Sequence, residues 1–314
     1  MKTKPRSVET ISIYQFLKRI PDEKAAREYI EGLIWVNGRY CPFCKSSNTV
    51  RVKDEKPMPY RCKDCRKHFS VRVGNIFESS KVKLHTWLAA IYLMTTAKKG
   101  VSSPQIARQL GITQKTAWML CQKIREMWRV PIKAVLSGEV EVDEAYMGGT
   151  ERNKHANKRL NSGRGIVGKQ PVVGLRDRNN KVVGVVVEDT NMKVLHGLIR
   201  RAVRKGSHIY TDGHKGYHGL TDYQQSEVHH FEGEYVNNQV HTNGIESFWA
   251  LLKRAYYGTF HHMSVKHMQR YVDEFAARQN MRGCDATDII AIITKGAVGK
   301  SLPWNTLTHD PQTN

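Results

Sequence analysis

The sequence has too few acidic residues to balance its basic ones, with 29 Asp and Glu against 50 Lys and Arg and a formal net charge of +21. This shortage of negative charge predicts a polyanionic partner, nucleic acid before an acidic membrane surface. Long apolar runs are also missing. The longest, such as residues 87–94, fall far short of the roughly 20 residues that a membrane-spanning helix needs. We therefore expect no membrane partner.

An apolar leader is missing as well, because the first residues, Met-Lys-Thr-Lys-Pro-Arg, are basic and no apolar segment follows them. No secretory signal is visible, and we expect a reducing, cytoplasmic setting in which clustered cysteines bind metal rather than form disulfides. The 314 residues, 40% of them hydrophobic, are enough for two or three globular domains. The patterns described below predict a multidomain α+β protein.

Cysteine is scarce, yet four of the six cysteines form two Cys-x-x-Cys pairs separated by 17 residues. Two such knuckles place four thiolates around one point, which is typical of a zinc ribbon and less typical of four ordinary buried cysteines. The zinc would be structural, because four protein ligands leave no position for water. The remaining cysteines, Cys121 and Cys284, are distant from each other and predict core positions. The predicted ligands are Cys41, Cys44, Cys62 and Cys65.

Apolar residues at helical spacing fill residues 84–128, with a glycine turn at 111–113 between the last two helices. A short helix, a glycine turn and a helix that opens with polar donors form the helix-turn-helix pattern of DNA-binding proteins. The alternative is a three-helix packing unit that contacts no DNA. The residues predicted to contact DNA are Thr113, Gln114, Lys115 and Thr116.

The periodicity changes to that of strands after residue 131, and two of the predicted strands end in an acid. Asp143 lies toward the end of the first, at 139–146, and Asp212 ends the fourth. A helix that begins near residue 244 carries Glu246. Three strands, a helix, a strand, a short strand and a helix are close to the order of the ribonuclease H-like fold, whose carboxylates occupy these same three places.

Three carboxylates on such a frame predict a site for two divalent cations, Mg²⁺ or Mn²⁺, that would activate and stabilise the oxygens of a phosphodiester. Asp143 would bridge both ions, Asp212 would hold one and Glu246 the other. Glu246 also has the spacing of a capping box with Asn243, and Asn243 is an alternative third ligand. Lys253 follows Glu246 by two helical turns and would contact the DNA backbone.

A polar insertion at 151–170 carries six Lys and Arg residues. It is either a solvated loop or a segment that grips a phosphate backbone. The patterns together predict five segments: an N-terminal helical arm at 1–35, a zinc ribbon at 36–80, a helix-turn-helix region at 81–131, a ribonuclease H-like catalytic domain at 135–282 that includes the insertion, and a C-terminal helix with a loose tail at 283–314.

The order of these parts resembles bacterial insertion-sequence transposases of the DDE class, in the branch with an N-terminal zinc ribbon and an ISXO-like catalytic domain. The resemblance covers roughly residues 12–281 and rests on Cys41-Pro42-Phe43-Cys44, Gly74-Asn75-Ile76-Phe77, Lys98-Lys99-Gly100, Val142-Asp143-Glu144, Thr211-Asp212-Gly213, residues 243–252 with Lys253-Arg254, and Tyr271-Val272-Asp273-Glu274-Phe275 with Arg278 and Asn280.

This resemblance implies that the protein binds the terminal inverted repeats of its element, cleaves the 3′ strand ends and joins them to target DNA. It also implies a homo-oligomer on double-stranded DNA, a bacterial, nucleoid-associated location, and contacts from Lys253 and Arg254 to DNA. Members of the branch place either Asn or Glu at the third catalytic position, so Asn243 and Glu246 both stay candidates.

Two other functions remain open at this point. One is a DNA-binding regulator that uses the zinc ribbon and helix-turn-helix and keeps an inactive catalytic domain for assembly. The other is a structure-specific nuclease, such as a junction resolvase, which cuts DNA without joining it. The paired acids Asp143 and Asp212 favour the transposase, because a regulator would have no need of them.

Overall fold

The computed structural model of the protein describes residues 11–129, 131–133, 135–149, 154–160, 165–228 and 242–308. The chain divides into two compact units. The first comprises Met1–Trp128 together with Gly283–Asn314, and the second comprises Arg129–Arg282. The N-terminal unit is therefore built from two separate stretches of chain, and the second unit lies between them in the sequence.

The N-terminal unit opens with two helices, α1 (Ile13–Arg19) and α2 (Glu23–Ile34). Helix α2 is capped at its start, where the Asp22 carboxylate accepts an amide of the first turn at 2.8 Å. Helix α1 lies within the predicted N-terminal arm. Ser12 and Gln15 form a reciprocal capping box at its start, which satisfies two amides that would otherwise have no partner.

The zinc-ribbon region is a small antiparallel sheet of three short strands, β1 (Thr49–Arg51), β2 (Tyr60–Cys62) and β3 (His68–Phe69). Its core is aromatic. The ring of Trp35 makes edge contacts with Tyr60 at 5.5 Å and with Phe69 at 6.1 Å between ring centroids. So short a sheet buries little apolar surface, and these rings contribute much of its core.

Three helices follow, at the predicted positions: α3 (Leu84–Thr96), α4 (Ser103–Leu110) and α5 (Gln114–Trp128). The Ser102 hydroxyl accepts an amide of the first turn of α4. Gly111 ends that helix with a φ of 64°, the left-handed conformation in which glycine avoids the clash of a Cβ. Local caps thus fix both ends of α4 and set the turn into α5.

The C-terminal residues return to the N-terminal unit. Helix α9 (Ala286–Lys295) packs against α2, α3 and α5, and a short helix α10 (Trp304–Thr308) follows it. The prediction of a loose tail is wrong for residues 301–308, because Leu302 and Leu307 are only 5% and 2% exposed. Two buried leucines in a polar stretch anchor the segment, whereas residues 309–314 lie outside the described part of the chain.

The second unit is organised on a mixed five-stranded sheet in the order β6-β5-β4-β7-β8. The strands are β4 (Glu139–Met147), β5 (Gln170–Asp177), β6 (Val182–Val186), β7 (His208–Asp212) and β8 (Gln224–Val228). β4 pairs antiparallel with β5 and parallel with β7, so the first strand in sequence is central in space.

Helices cover both faces of this sheet: α6 (Met192–Ala202) on one side, α7 (Asn243–Ala255) and α8 (Val265–Asn280) on the other. Val140 and Val142 of β4 enter the core under α6. Ala145 and Met147, two and four residues beyond Asp143, enter the core under α7 and α8. The alternation of side chains along one strand therefore feeds two separate hydrophobic layers.

The strand and helix order predicted for the second unit is confirmed, and with it the multidomain α+β class. β4 ends at Met147, one residue beyond the predicted end of the first strand at residue 146. Of the basic insertion, only 154–160 and 165–170 are described, so its contact with DNA stays a prediction.

Candidate active site and metal centre

The four predicted cysteines meet at one point in the zinc ribbon. All four sulfurs lie within 4.8 Å of one another, and the Sγ atoms of Cys41 and Cys65, like those of Cys44 and Cys62, are 3.6 Å apart. A tetrahedral zinc with Zn–S bonds of about 2.3 Å sets its sulfurs about 3.8 Å apart, so the cluster has the dimensions of a four-thiolate zinc site. All four are free cysteines rather than disulfides.

Asp143 and Asp212 lie at the same level on neighbouring strands. The parallel pairing of β4 and β7 sets Glu139 beside His208 and Glu141 beside Tyr210. Continuing that register by two residues brings Asp143 beside Asp212, on the same face of the sheet. The regular pairing ends at Glu141, so the two carboxylates project where the strands separate. A pair of acids at such an opening is a typical place for a hard cation.

The Asp143 carboxylate is held by two donors. Its Oδ2 accepts the indole Nε1–H of Trp249 at 2.9 Å, and its Oδ1 accepts the amide of Glu144 at 2.8 Å. Burial, followed by the negative charges of Asp212 and Glu144, raises the pKa of Asp143 to about 7 from an ordinary 3.8. Burial and the neighbouring acids thus disfavour the ionised form of Asp143. A divalent cation would offset this free-energy penalty.

Glu144 points to the opposite face of β4, into the core under α6. Its Oε2 accepts the hydroxyl of Tyr217 at 2.5 Å, and burial raises the pKa of Glu144 while this bond opposes the rise. The Nδ1 of His214 lies 4.0 Å from Glu144 but accepts the amide of Gly216 at 3.2 Å. His214 is therefore fixed by its own turn, next to Asp212, whose carboxylate accepts the His214 amide at 3.4 Å.

Both candidates for the third ligand lie in the first turn of α7. Asn243 and Glu246 are exposed. Thr242, not Asn243, precedes the helix, and its side chain donates to Glu246 Oε1 at 3.4 Å, so a capping box with Asn243 as the cap is not formed. Glu246 lies one turn before Trp249, whose indole reaches Asp143. α7 thus carries both candidates on the turn next to the paired aspartates.

The third carboxylate does not lie as close to the other two as the four cysteine sulfurs lie to one another. Among the described residues, the four cysteines are the only group of three or more His, Cys, Asp or Glu whose ligand atoms all lie within 4.8 Å of one another. The structure therefore brings Asp143 and Asp212 together and leaves the choice between Asn243 and Glu246 to the proposal below.

A buried glutamate of β4 fixes the start of α7. Glu141 is 3% exposed, and its Oε2 accepts the amide of Ile245 at 2.7 Å, while its other oxygen pairs with Arg178. Arg176 donates to the carbonyl of Gly244. A Cβ on Gly244 would lie 2.7 Å from the Glu141 carboxylate. The glycine therefore lets the start of α7 come this close to Glu141. The helix that carries the third ligand is thereby tied to the strand that carries Asp143.

Sequence reasoning missed three residues of the site: Glu141, Trp249 and Tyr217. Each is polar or amphipathic and contacts a residue distant in sequence, which periodicity does not reveal. The sequence does carry a signal for Glu141. Its two neighbours are valines, and a valine-rich strand is typical of one whose two faces are both covered. Gly174 of β5 is a second signal. A Cβ there would lie 2.5 Å from the Trp249 ring, so this glycine makes room for the indole.

The predicted DNA contacts of the helix-turn-helix divide into two kinds. The Thr113 hydroxyl accepts the amide of Thr116 at 3.2 Å, so this pair caps α5. Gln114 and Lys115 are exposed, and the Lys115 ammonium lies 4.6 Å from the centre of the Trp304 ring. The buried face of α5 includes Cys121, as predicted, together with Ala117, Leu120, Ile124 and Trp128.

Lys253 and Arg254 are exposed on the last turn of α7. They lie on the helix that also carries Asn243 and Glu246, with Lys253 two turns beyond Glu246. Their positions fit the predicted contact with DNA, which stays a prediction. Among the described residues, no helix is long and apolar enough to cross a membrane.

Known proteins resemble both units of the chain. The model of an ISXO2-like transposase domain matches residues 135–280, and that of a transposase zinc-ribbon domain matches residues 21–68. A protein of the transposable element ISH50 from Halobacterium salinarum, described as uncharacterized, is 30% identical over 251 residues, which cover 76% of this chain and 84% of the relative. The zinc-ribbon match and the cysteine cluster together indicate Zn²⁺.

Proposed function

This chain belongs to the IS1595 family of insertion-sequence transposases, and we propose that it binds the terminal inverted repeats of its element and catalyses DNA strand cleavage and strand transfer by a DDE-type mechanism. The observation that carries the proposal is the pair of Asp143 and Asp212, set at one level on adjacent parallel strands. Family membership supports a transposase that acts on DNA. The cleavage chemistry and the residues that perform it are the proposal.

The chemistry of the donors supports two divalent cations at this site. Mg²⁺ or Mn²⁺, when bound, would activate the attacking oxygen and stabilise the leaving oxygen of the phosphodiester. Asp143 would bridge both ions, Asp212 would hold one, and Glu246 or Asn243 the other. Burial, followed by repulsion from Asp212 and Glu144, raises the pKa of Asp143, and a carboxylate perturbed in this way is typical of a functional site.

The surrounding residues orient these ligands. Trp249 donates to one oxygen of Asp143 and leaves the other turned toward the Glu144 amide, which fixes the carboxylate plane. Glu141 holds the first turn of α7, so the third ligand is presented from a fixed helix start. Lys253 and Arg254, exposed on the same helix, would contact the DNA backbone as it enters.

In the N-terminal unit, Cys41, Cys44, Cys62 and Cys65 would hold a structural zinc, and the start of α5 would contact DNA through Gln114 and Lys115. The basic excess of the chain, with a net charge of +21, supports a large phosphate interface. We further propose that the chain acts as a homo-oligomer on DNA, since two element ends must be joined in one reaction, and that it works at the nucleoid of its cell.

A strand-transfer assay tests the proposal. Full-length protein is mixed with labelled DNA from the ends of its element, a plasmid target and Mg²⁺ or Mn²⁺. We expect joined products from the unmodified protein and none from Asp143→Asn. Of Asn243→Ala and Glu246→Ala, the variant that loses joining identifies the third ligand. Glu188→Gln, an exposed acid of the same unit, is the matched control and should retain activity.

Three outcomes would contradict the proposal. Tight binding of element ends with neither cleavage nor joining under any divalent cation would indicate a DNA-binding regulator. Cleavage of branched DNA without joining would indicate a structure-specific nuclease. A fully active Asp143→Asn variant would show that the chemistry lies elsewhere.

A further inference from the structure

An open cleft of about 400 Å³ lies in the N-terminal unit, beside the start of α5. Residues 79–82 form one side and α5 forms the other, with Met119 among its apolar lining. The ring of Trp304, from the C-terminal helix α10, completes the wall. The proposed function uses Lys115 of this cleft as a DNA contact but gives no role to the other lining residues or to α10.

The cleft is positively charged. It is lined by the exposed Lys81 and Lys115 and by Lys123, which is only 6% exposed and donates to the carbonyl of Ile76 at 3.2 Å. Burial lowers the pKa of Lys123, which means that the lining disfavours an isolated ammonium. A bound anion would offset this cost. Three lysines around one small cleft therefore favour a phosphate.

The cleft also has a rigid aromatic wall. Trp304 is half-buried, and its ring makes an edge contact with Trp118 at 6.1 Å between centroids, while Lys115 lies over it at 4.6 Å. The buried leucines Leu302 and Leu307, on either side in the sequence, anchor the segment that carries this ring. An aromatic surface held beside cations suits a flat aromatic base that is attached to a negatively charged phosphate.

We propose that this cleft holds one unpaired nucleotide of bound DNA, with the base against Trp304 and a phosphate on the lysines. The volume of about 400 Å³ is at the small end of ligand pockets, enough for a nucleotide and too small for a duplex. Every base offers a face for stacking, so the cleft needs no particular sequence. This inference rests on the DNA binding proposed above and adds a site for an extruded base.

The test compares two DNAs that differ in base pairing. Fluorescence anisotropy at one fixed salt concentration measures the Kd of the full chain for a ten-nucleotide oligothymidine and for its duplex with oligodeoxyadenosine. Trp304→Ala should weaken binding of the single strand by roughly 5- to 100-fold, the range of one lost base stack, and binding of the duplex less than about 2-fold. Trp304→Phe should retain most of the affinity, since a ring remains.

Tyr14→Ala is the matched control, because Tyr14 is an aromatic residue of the same unit that is 73% exposed and does not line the cleft. Its affinity for both DNAs should not change. Zinc content and circular dichroism establish that each variant is folded. As an independent readout, oligothymidine with 5-iodouracil should crosslink on irradiation to the peptide that contains Trp304.

Equal weakening of both DNAs by Trp304→Ala, or no weakening of either, would overturn the nucleotide site while leaving duplex binding intact. A crosslink that maps only to other peptides would overturn it too. If the unmodified protein bound neither the oligothymidine, the duplex nor the element ends, the DNA binding under the proposed function would itself fail. The two failures are thus distinguishable.

Discussion

Replacing Asp143 by asparagine removes a carboxylate whose ionised form is disfavoured by burial and by the charges of Asp212 and Glu144. The pKa of about 7, against an ordinary value of 3.8, corresponds to roughly 4 kcal/mol at about 1.4 kcal/mol per pH unit. Asparagine has nearly the same shape and can still accept from Trp249, but it carries no charge. We expect Asp143→Asn to raise the free energy of unfolding of the second unit by up to about 4 kcal/mol at pH 8.

The size of this gain should depend on pH in a defined direction. Below pH 3.8 the carboxyl group is protonated in both the folded and the unfolded chain, and no penalty exists. Between 3.8 and 7 the unfolded chain releases the proton while the folded chain keeps it, so the penalty grows with pH. Above 7 it is constant. At pH 5 the gain should therefore be less than half of its value at pH 8.

The assay needs a probe of the second unit alone, and Trp249 provides one. It is the only one of the six tryptophans of the sequence between residues 129 and 282. Fluorine NMR of protein that contains 5-fluorotryptophan follows the folded Trp249 signal through a urea series, with Trp249→Phe giving the assignment. Mg²⁺ is left out, and no chelator is added, so the zinc stays in place. Glu188→Gln is the control and should show no pH-dependent gain.

Two results would refute this reasoning. One is a variant no more stable than the unmodified protein at pH 8. The other is a gain that is equal at pH 5 and pH 8, which would assign it to packing rather than to charge. Addition of Mg²⁺ should then stabilise the unmodified protein more than Asp143→Asn, because a ligand stabilises only the form that binds it.

Three further predictions concern the supports of the two sites. Glu141→Ala leaves the buried Ile245 amide without its acceptor, so strand transfer should fall at least tenfold and stability by about 1–3 kcal/mol, measured by urea unfolding. Cys62→Ser should lose zinc by mass spectrometry and weaken DNA binding, while the Trp249 signal is unchanged. Tyr217→Phe leaves buried Glu144 without its hydroxyl donor and should cost about 1–3 kcal/mol in the same unfolding assay.

Local chemistry made much of the fold predictable. The caps at Ser102 and Gly111 are adjacent in sequence to the helix ends that they stabilise, so the bounds of α4 and α5 follow from a few neighbouring residues. The zinc ligands follow from spacing for the same reason. Asp143 and Asp212 were predicted because each lies on a strand with a clear alternating or apolar pattern, and the register then sets them level.

The supports of the site could not be predicted, because they depend on contacts between residues far apart in sequence. Glu141 and Ile245 are 104 positions apart, and Asp143 and Trp249 are 106 apart. No period in the sequence encodes such pairs. The helix α10 was missed for a different reason. Its two buried leucines are too few to make a pattern, and only the surface of the N-terminal unit gives them a place to pack.

The divided N-terminal unit has a consequence for how the chain is made. At roughly 5–20 residues per second, a ribosome needs on the order of 10–30 s to produce residues 129–282 before α9 emerges. During that interval α2, α3 and α5 present the apolar surface that α9 will cover. A chain that is cut short inside the second unit therefore never completes the N-terminal unit, and the apolar faces of α2, α3 and α5 that α9 would cover stay exposed to water.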